Sequence, residues 1–115
     1  MRRIVIYHCF EIVKIPFPFT DQQAIKNWPA LIISSAKSFN CYIDYSAIAM
    51  ITSVKHSAWP LDTIISDLKS AGLPVASLIR LKLFTLDHRL IIKSLGHLST
   101  QDKILFKQNF SSLTQ

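Results

Sequence analysis

The sequence predicts a mainly β domain, a small and strongly bent sheet or barrel, finished by one C-terminal α-helix. Three observations predict it. Short apolar segments with two-residue alternation recur from residue 11 to residue 93. Turn residues, not helical spacings, separate them. A helix-start signal, Ser99-Thr-Gln-Asp102, stands before the last apolar cluster. At 115 residues the chain has room for one hydrophobic core and not for two, so residues 1–115 are expected to form a single domain.

Residues 1–10 are expected to be an N-terminal extension or a short first strand, since Ile4 to Ile6 is apolar. Val13, Ile15 and Phe17 alternate with Ile12, Lys14 and Pro16 as in a half-buried strand. Pro16 and Pro18 lack ladder donors, so that strand ends or runs along an edge there. A loop over 18–27 follows, and Pro29 opens an apolar run through Ile33 that suits a strand buried on both faces. Tyr42 to Ser53 is the longest β-prone stretch and is apolar at both parities, which predicts a central strand or a dimer face. The polar and aromatic loop 54–60 leads to Thr63-Ile-Ile65.

Asp67 to Gly72 reads as one helical turn stopped by glycine. Ser77 to Leu86 alternates Ile79, Leu81 and Leu83 against Arg80, Lys82 and Phe84, and Thr85-Leu-Asp87 ends that strand. Leu90 to Lys93 reads as a further short strand. Residues 99–112 read as the C-terminal helix, with Ile104, Leu105 and Phe106 on its apolar side.

Composition narrows function only coarsely. Half the residues are apolar and glycine and proline are few, which excludes a disordered chain. A mean hydropathy of +0.29 is high for a monomer, and a buried homodimer face would account for it. Thirteen Lys and Arg against seven Asp and Glu give a net charge of +6, which attracts phosphate backbones or an acidic protein segment. Cys9 and Cys41 match neither a zinc nor a Cys-x-x-Cys spacing and read as two small buried hydrophobes in a reducing cytoplasm. No cleavable leader and no membrane span are expected, and no His, Cys or carboxylate cluster has metal-ligand spacing.

Four pieces in order, Pro16-Phe-Pro-Phe-Thr-Asp21, Pro29-Ala-Leu-Ile-Ile-Ser34, Ala49-Met-Ile-Thr-Ser53 and Arg80-Leu-Lys-Leu-Phe-Thr-Leu-Asp87, resemble the MazF/PemK family of mRNA interferase toxins. The Gly96-His-Leu-Ser99 segment fits the same pattern. The resemblance spans roughly residues 11 to 110. It implies an SH3-like plasmid-toxin barrel, a cytoplasmic homodimer and a cognate antitoxin with an acidic flexible segment. It also implies a cofactor-free, metal-independent endoribonuclease acting on single-stranded mRNA by 2′-OH attack.

That chemistry needs a proton acceptor for the 2′-OH, a proton donor for the 5′ oxygen and charge on the phosphate oxygens. The family's phosphate-holding hydroxyl maps to Thr52 or Ser53, while its usual arginine before the strand-2 proline is replaced by Trp28. Lys26 is either a substitute cation or a solvated loop residue. Trp28 is either a base-stacking platform or a packed core residue. His56 is either an acid or base of the groove or an exposed loop residue. Lys55, Trp59, Arg80 and Lys82 are candidates for lining an RNA or antitoxin groove, with a solvated face as their other reading. Asp21, Asp62 and Asp87 are assigned turn or cap roles. The alternative function is a non-catalytic barrel that binds RNA or an antitoxin-like peptide, cleavage having been lost with Trp28.

Overall fold

The computed structural model describes residues 5–16, 27–55 and 58–115. Its strands are β1 (Glu11–Pro16), β2 (Asn27–Ile32), β3 (Tyr45–Ser53), β4 (Thr63–Ile64), β5 (Ser77–Asp87) and β6 (Lys93–His97). The α-helices are α1 (Cys41–Ile43), which continues a π-helical turn over Ala36–Asn40, α2 (Leu68–Ala71), and α3 (Thr100–Ser112), which follows β6. The strands form one curled antiparallel sheet in the order β4-β5-β3-β2-β1-β6.

Both faces of this sheet are buried, because neighbouring residues of the central strands are apolar at both parities. Ile12, Leu31, Ala49, Ile51 and Ile79 pack on one face against Leu98 and Phe106. Val13, Ile15, Ala30, Ile32, Ile48 and Met50 form a second cluster, joined by Trp28 and Phe84. The continuous apolar run of β2 accordingly lies between β1 and β3 with Ala30, Leu31 and Ile32 fully buried. β1 is not the half-buried strand its alternation suggests. Ile12 and Val13 feed different clusters, and the pairing with β6 shifts register between them.

β4 and β6 are opposite edges of the sheet, and α2 draws them together. Asp67 caps α2, accepting from the Ser70 N–H at 3.0 Å, and Gly72 ends it with φ +72. The chain's two glycines both serve this crossing. A Cβ on Gly72 would fall on the Leu95 carbonyl of β6, and one on Gly96 would fall on the Ser70 carbonyl of α2. No larger residue lets the two backbones approach this closely.

Asp102 ties α3 to the same junction. Fully buried, its carboxylate accepts from the Ser66 N–H at 3.1 Å, the Ser66 hydroxyl at 2.6 Å and the Asp67 N–H at 3.1 Å. Burial alone would raise its pKa, but the hydrogen bonds from Ser66 and Asp67 outweigh it and hold the group below the usual carboxylate value. Ser99 caps α3 as the sequence suggests, its oxygen accepting from the Asp102 N–H at 3.2 Å.

Several local expectations need correction. The longest strand is the eleven-residue β5, since residues 41–43 turn helically through Asp44 at φ +55 before β3 begins. The last strand is Lys93–His97, because Asp87 caps a tight turn over His88–Leu90 that consumes the start of the expected one. Ile104 is 53% exposed and Leu105 is exposed too; Phe106 and Phe110 carry the core contact of α3, stacked edge-on at 5.6 Å. Cys41 lies exposed on the short helix α1, while Cys9 is half-buried. Among the described residues no helix is long and apolar enough to cross a membrane.

Candidate functional site

Sheet register brings three of the candidate residues onto one face. Thr52 lies opposite Leu78 of β5, and Leu78 lies opposite Ile64 of β4. On its other side β3 pairs with β2 as Ala30 with Met50, and Trp28 and Thr52, two residues beyond those partners on their own strands, keep the same parity and so the same face. Trp28 in turn pairs with Ile15 of β1. Arg80 pairs with Met50, two residues up β3 from Thr52, and so shares the parity of Thr52 and Trp28.

Thr52 and Ser53 are half-buried at the end of β3. The Ser53 hydroxyl accepts from the Lys55 N–H at 3.2 Å and so turns the chain out of the strand, leaving Lys55 exposed. Trp28 is half-buried and packs on the second apolar cluster. Arg80 is only 7% exposed and grips Asp62 with two bonds, Nε to Oδ1 at 3.2 Å and Nη2 to Oδ2 at 2.9 Å. Such a bidentate, largely desolvated pair fixes both side chains.

Asp62 is the residue whose importance the sequence understates. It does serve the turn, accepting from the Trp59 N–H at 3.1 Å while its own N–H donates to the Trp59 carbonyl at 3.3 Å. It also holds Arg80, eighteen residues away. Trp59 is 42% exposed, with the Arg80 guanidinium carbon 5.8 Å and the Lys82 ammonium 5.0 Å from its ring centre. Lys26 and His56 lie outside the described residues, as do Asp21 and the greater part of the loop over 18–27.

A groove of about 590 Å³ opens elsewhere, between the ends of β1 and β2 (Lys14, Asn27, Trp28, Pro29) and the α2 region (Leu68, Lys69, Leu73, Pro74), with Leu95 beside them. Trp28 stands on its rim. Thr52, Arg80 and Trp59 are not among its walls, so this groove and the Thr52 row are separate surfaces that meet at Trp28.

A serine-histidine pair lies at the far end of β3, where the Ser46 hydroxyl is 2.7 Å from His88 Nε2. Its geometry resembles that of a nucleophile with its base. Ser46 is fully buried, however, and the His88 ring stacks on Tyr7 at 4.8 Å, so the pair works as a structural clasp. Burial pushes the His88 pKa down, against the raising effect of Asp44 and Asp87. Among the described residues no group of three or more His, Cys, Asp or Glu is placed to hold a metal ion.

The arrangement thus offers a hydroxyl, a carboxylate-held guanidinium and an indole on one face of the interior strands, with a second indole beside the guanidinium. The sequence pattern of the PemK-like, MazF-like toxins of type II toxin-antitoxin systems matches residues 8–111 of the chain. No curated protein sequence gives a significant match. Among solved structures, MazF from Deinococcus radiodurans superposes with a TM-score of 0.73 at 17% identity, covering 96% of this chain and 98% of that one. An endoribonuclease from a Mycobacterial species, in complex with its cognate antitoxin, gives 0.71 at 13% identity over 92% of each chain. The Mycobacterium tuberculosis toxin MazF-mt6 gives 0.70 at 14% identity, covering 89% of this chain and 93% of that one. At these identities the likenesses establish the curled sheet with its C-terminal helix.

Proposed function

This chain belongs to the PemK-like, MazF-like toxins of type II toxin-antitoxin systems, and on that premise we propose that it is a sequence-selective, metal-independent endoribonuclease of single-stranded mRNA. The observation that carries the reading is the shared sheet face of Thr52, Trp28 and Arg80 on successive strands. In this reaction the ribose 2′-OH attacks its own phosphate, the bond to the 5′ oxygen breaks, and a 2′,3′-cyclic phosphate and a 5′-OH remain. The nucleophile comes with the substrate, so the protein has only to move two protons and stabilise charge on phosphorus.

Thr52 donates its hydroxyl to a non-bridging phosphate oxygen. Arg80, two residue pairs away on the neighbouring strand, brings its Asp62-held guanidinium to the same face, where Trp28 stands in place of the family's arginine, and the Trp28 ring borders the base. Lys26 and His56 remain the candidates for proton transfer, and Ser53 and Lys55 extend the backbone-binding edge. A cognate antitoxin with an acidic, flexible segment is the inhibitory partner, drawn by the chain's net charge of +6. A homodimer would cover exposed apolar side chains such as Tyr42, Ile43 and Leu83. The chain acts in the cytoplasm, where its target RNA and its free thiols both persist.

A second reading is favoured by one specific observation, the double bond of Arg80 to Asp62. A guanidinium so engaged serves a phosphate less well, which suits a barrel that binds RNA or an antitoxin-like peptide without cutting. One experiment separates the two. Purified protein is incubated with a long RNA in EDTA. Discrete fragments that fall about 10²-fold or more in Thr52→Ala support the nuclease. Fragments that appear only in Trp28→Arg support the binding module, and no fragments from either would end the catalytic reading.

A further inference from the structure

The geometry points to Trp59, pinned by Asp62 and flanked by Arg80 and Lys82, as a stacking subsite for one unpaired nucleobase of single-stranded RNA, next to the Thr52 row. This rests on the reading that single-stranded RNA is the ligand. It does not require that the RNA be cut.

An exposed tryptophan is by itself unremarkable, but this one is built in. Its backbone is held at both polar atoms by Asp62, through bonds of 3.1 and 3.3 Å, and the intervening Leu61 is kept at φ +63. A turn that retains a left-handed leucine is fixed by its surroundings rather than by its own preference. Asp62 is anchored in turn by Arg80, which is buried in the sheet face. The indole is therefore presented on a rigid support, and a base that stacks on it orders little that was free before.

Charge decides between an RNA base and an acidic peptide as occupant. Asp62 cancels Arg80, so the cluster retains about one net positive charge, that of Lys82. A segment rich in carboxylates needs several unopposed cations. A nucleotide needs one phosphate contact and an aromatic face, and base-aromatic stacking tolerates any base. Position agrees. Arg80 lies two residues along β5 from Leu78, the partner of Thr52, which is a rise of about 7 Å. Neighbouring nucleotides of one strand can reach both places.

The test uses 2′-O-methyl oligonucleotides, which lack the attacking hydroxyl, so binding is read without cleavage. The chain has two tryptophans, and Trp28→Phe leaves Trp59 as the sole indole reporter. Titration is expected to quench that fluorescence. Trp59→Ala is expected to weaken binding about five- to a hundredfold, with Trp59→Phe recovering most of it. The slope of log K against log salt stays unchanged in Trp59→Ala, whereas Lys82→Ala lowers it by about 0.7. A melting temperature of Trp59→Ala close to that of the natural chain shows that the loss is not unfolding.

Equal binding by Trp59→Ala, or no quenching on binding, overturns the proposal. So does quenching by an acidic peptide such as polyglutamate but not by the oligonucleotide. Trp59-dependent binding without cleavage of natural RNA upholds the subsite while refuting the nuclease. Cleavage and binding that ignore Trp59 do the reverse.

Discussion

Replacing Asp102 by alanine removes the acceptor that joins α3 to the β4-α2 junction, and the structure allows the cost to be worked out. Three donors lose their partner: the Ser66 and Asp67 amides and the Ser66 hydroxyl. Ser66 is exposed, so its hydroxyl turns to water at little cost. The two amides lie against a fully buried side chain, and each orphaned donor costs about 1–3 kcal/mol. Allowing for partial rehydration, the loss comes to about 2–4 kcal/mol. For a domain of this size that is a fall of about 8–16 °C in melting temperature.

The assay is thermal unfolding followed by circular dichroism, with Asp102→Asn as the conservative comparison. Because the Asp102 pKa is held below its unfolded value of 3.8, its charge stabilises the fold above that pH. The contribution is lost as pH falls below 3.8 toward the folded value. The gap between the natural chain and Asp102→Asn must therefore narrow in that window. A melting temperature for Asp102→Ala within about 2 °C of the natural chain at pH 7 would refute the reasoning.

The remaining predictions concern the crossing, the ion pair and the histidine clasp. Gly96→Ala puts a Cβ 2.7 Å from the Ala71 carbonyl carbon and on the Ser70 carbonyl, and should cost about 2 kcal/mol or more in urea unfolding; Gly72→Ala adds the strain of its φ of +72 and should cost at least as much. Asp62→Asn removes the carboxylate charge that grips the buried Arg80 and is expected to destabilise by about 3 kcal/mol, most of it recovered in the double variant with Arg80→Met. His88 is held below its unfolded pKa of 6.5, so its contribution is complete above that pH and is lost as pH falls through the range below it. Melting temperature should therefore decline from pH 7 to 5.5, and less steeply in His88→Gln.

How far the sequence reached depends on whether each signal was local. Gly72 as a helix stop and Ser99 as a helix start were readable, because caps are decided within four residues. The burial of β2 was readable because an apolar run has no polar face to offer water. Periodicity starts the last strand too early, since Leu90 belongs to a turn organised by the Asp87 side chain, whose bond to the Arg89 amide is invisible in apolar periodicity. The apolar side that Ile104, Leu105 and Phe106 suggest is only partly the buried one, since α3 meets the sheet through Phe106, Phe110 and Asp102.

The site divides in the same way. Thr52 and Trp28 are legible through family resemblance, and strand parity adds that they share one sheet face. The Asp62-Arg80 pair joins a loop to a strand eighteen residues later, and only the β4-β5 pairing brings the two together. No spacing rule signals such a contact.

Whether this toxin-family chain cuts RNA by 2′-OH attack with Trp28 in place is decided by one substitution in the substrate. An RNA carrying a single 2′-deoxynucleotide at a mapped cleavage position is compared with its all-ribose twin, in EDTA. In-line 2′-OH attack requires cleavage of the ribose substrate to a 5′-OH fragment and complete resistance of that one bond in the other. Equal cleavage of both, or a 5′-phosphate on the product, would contradict it.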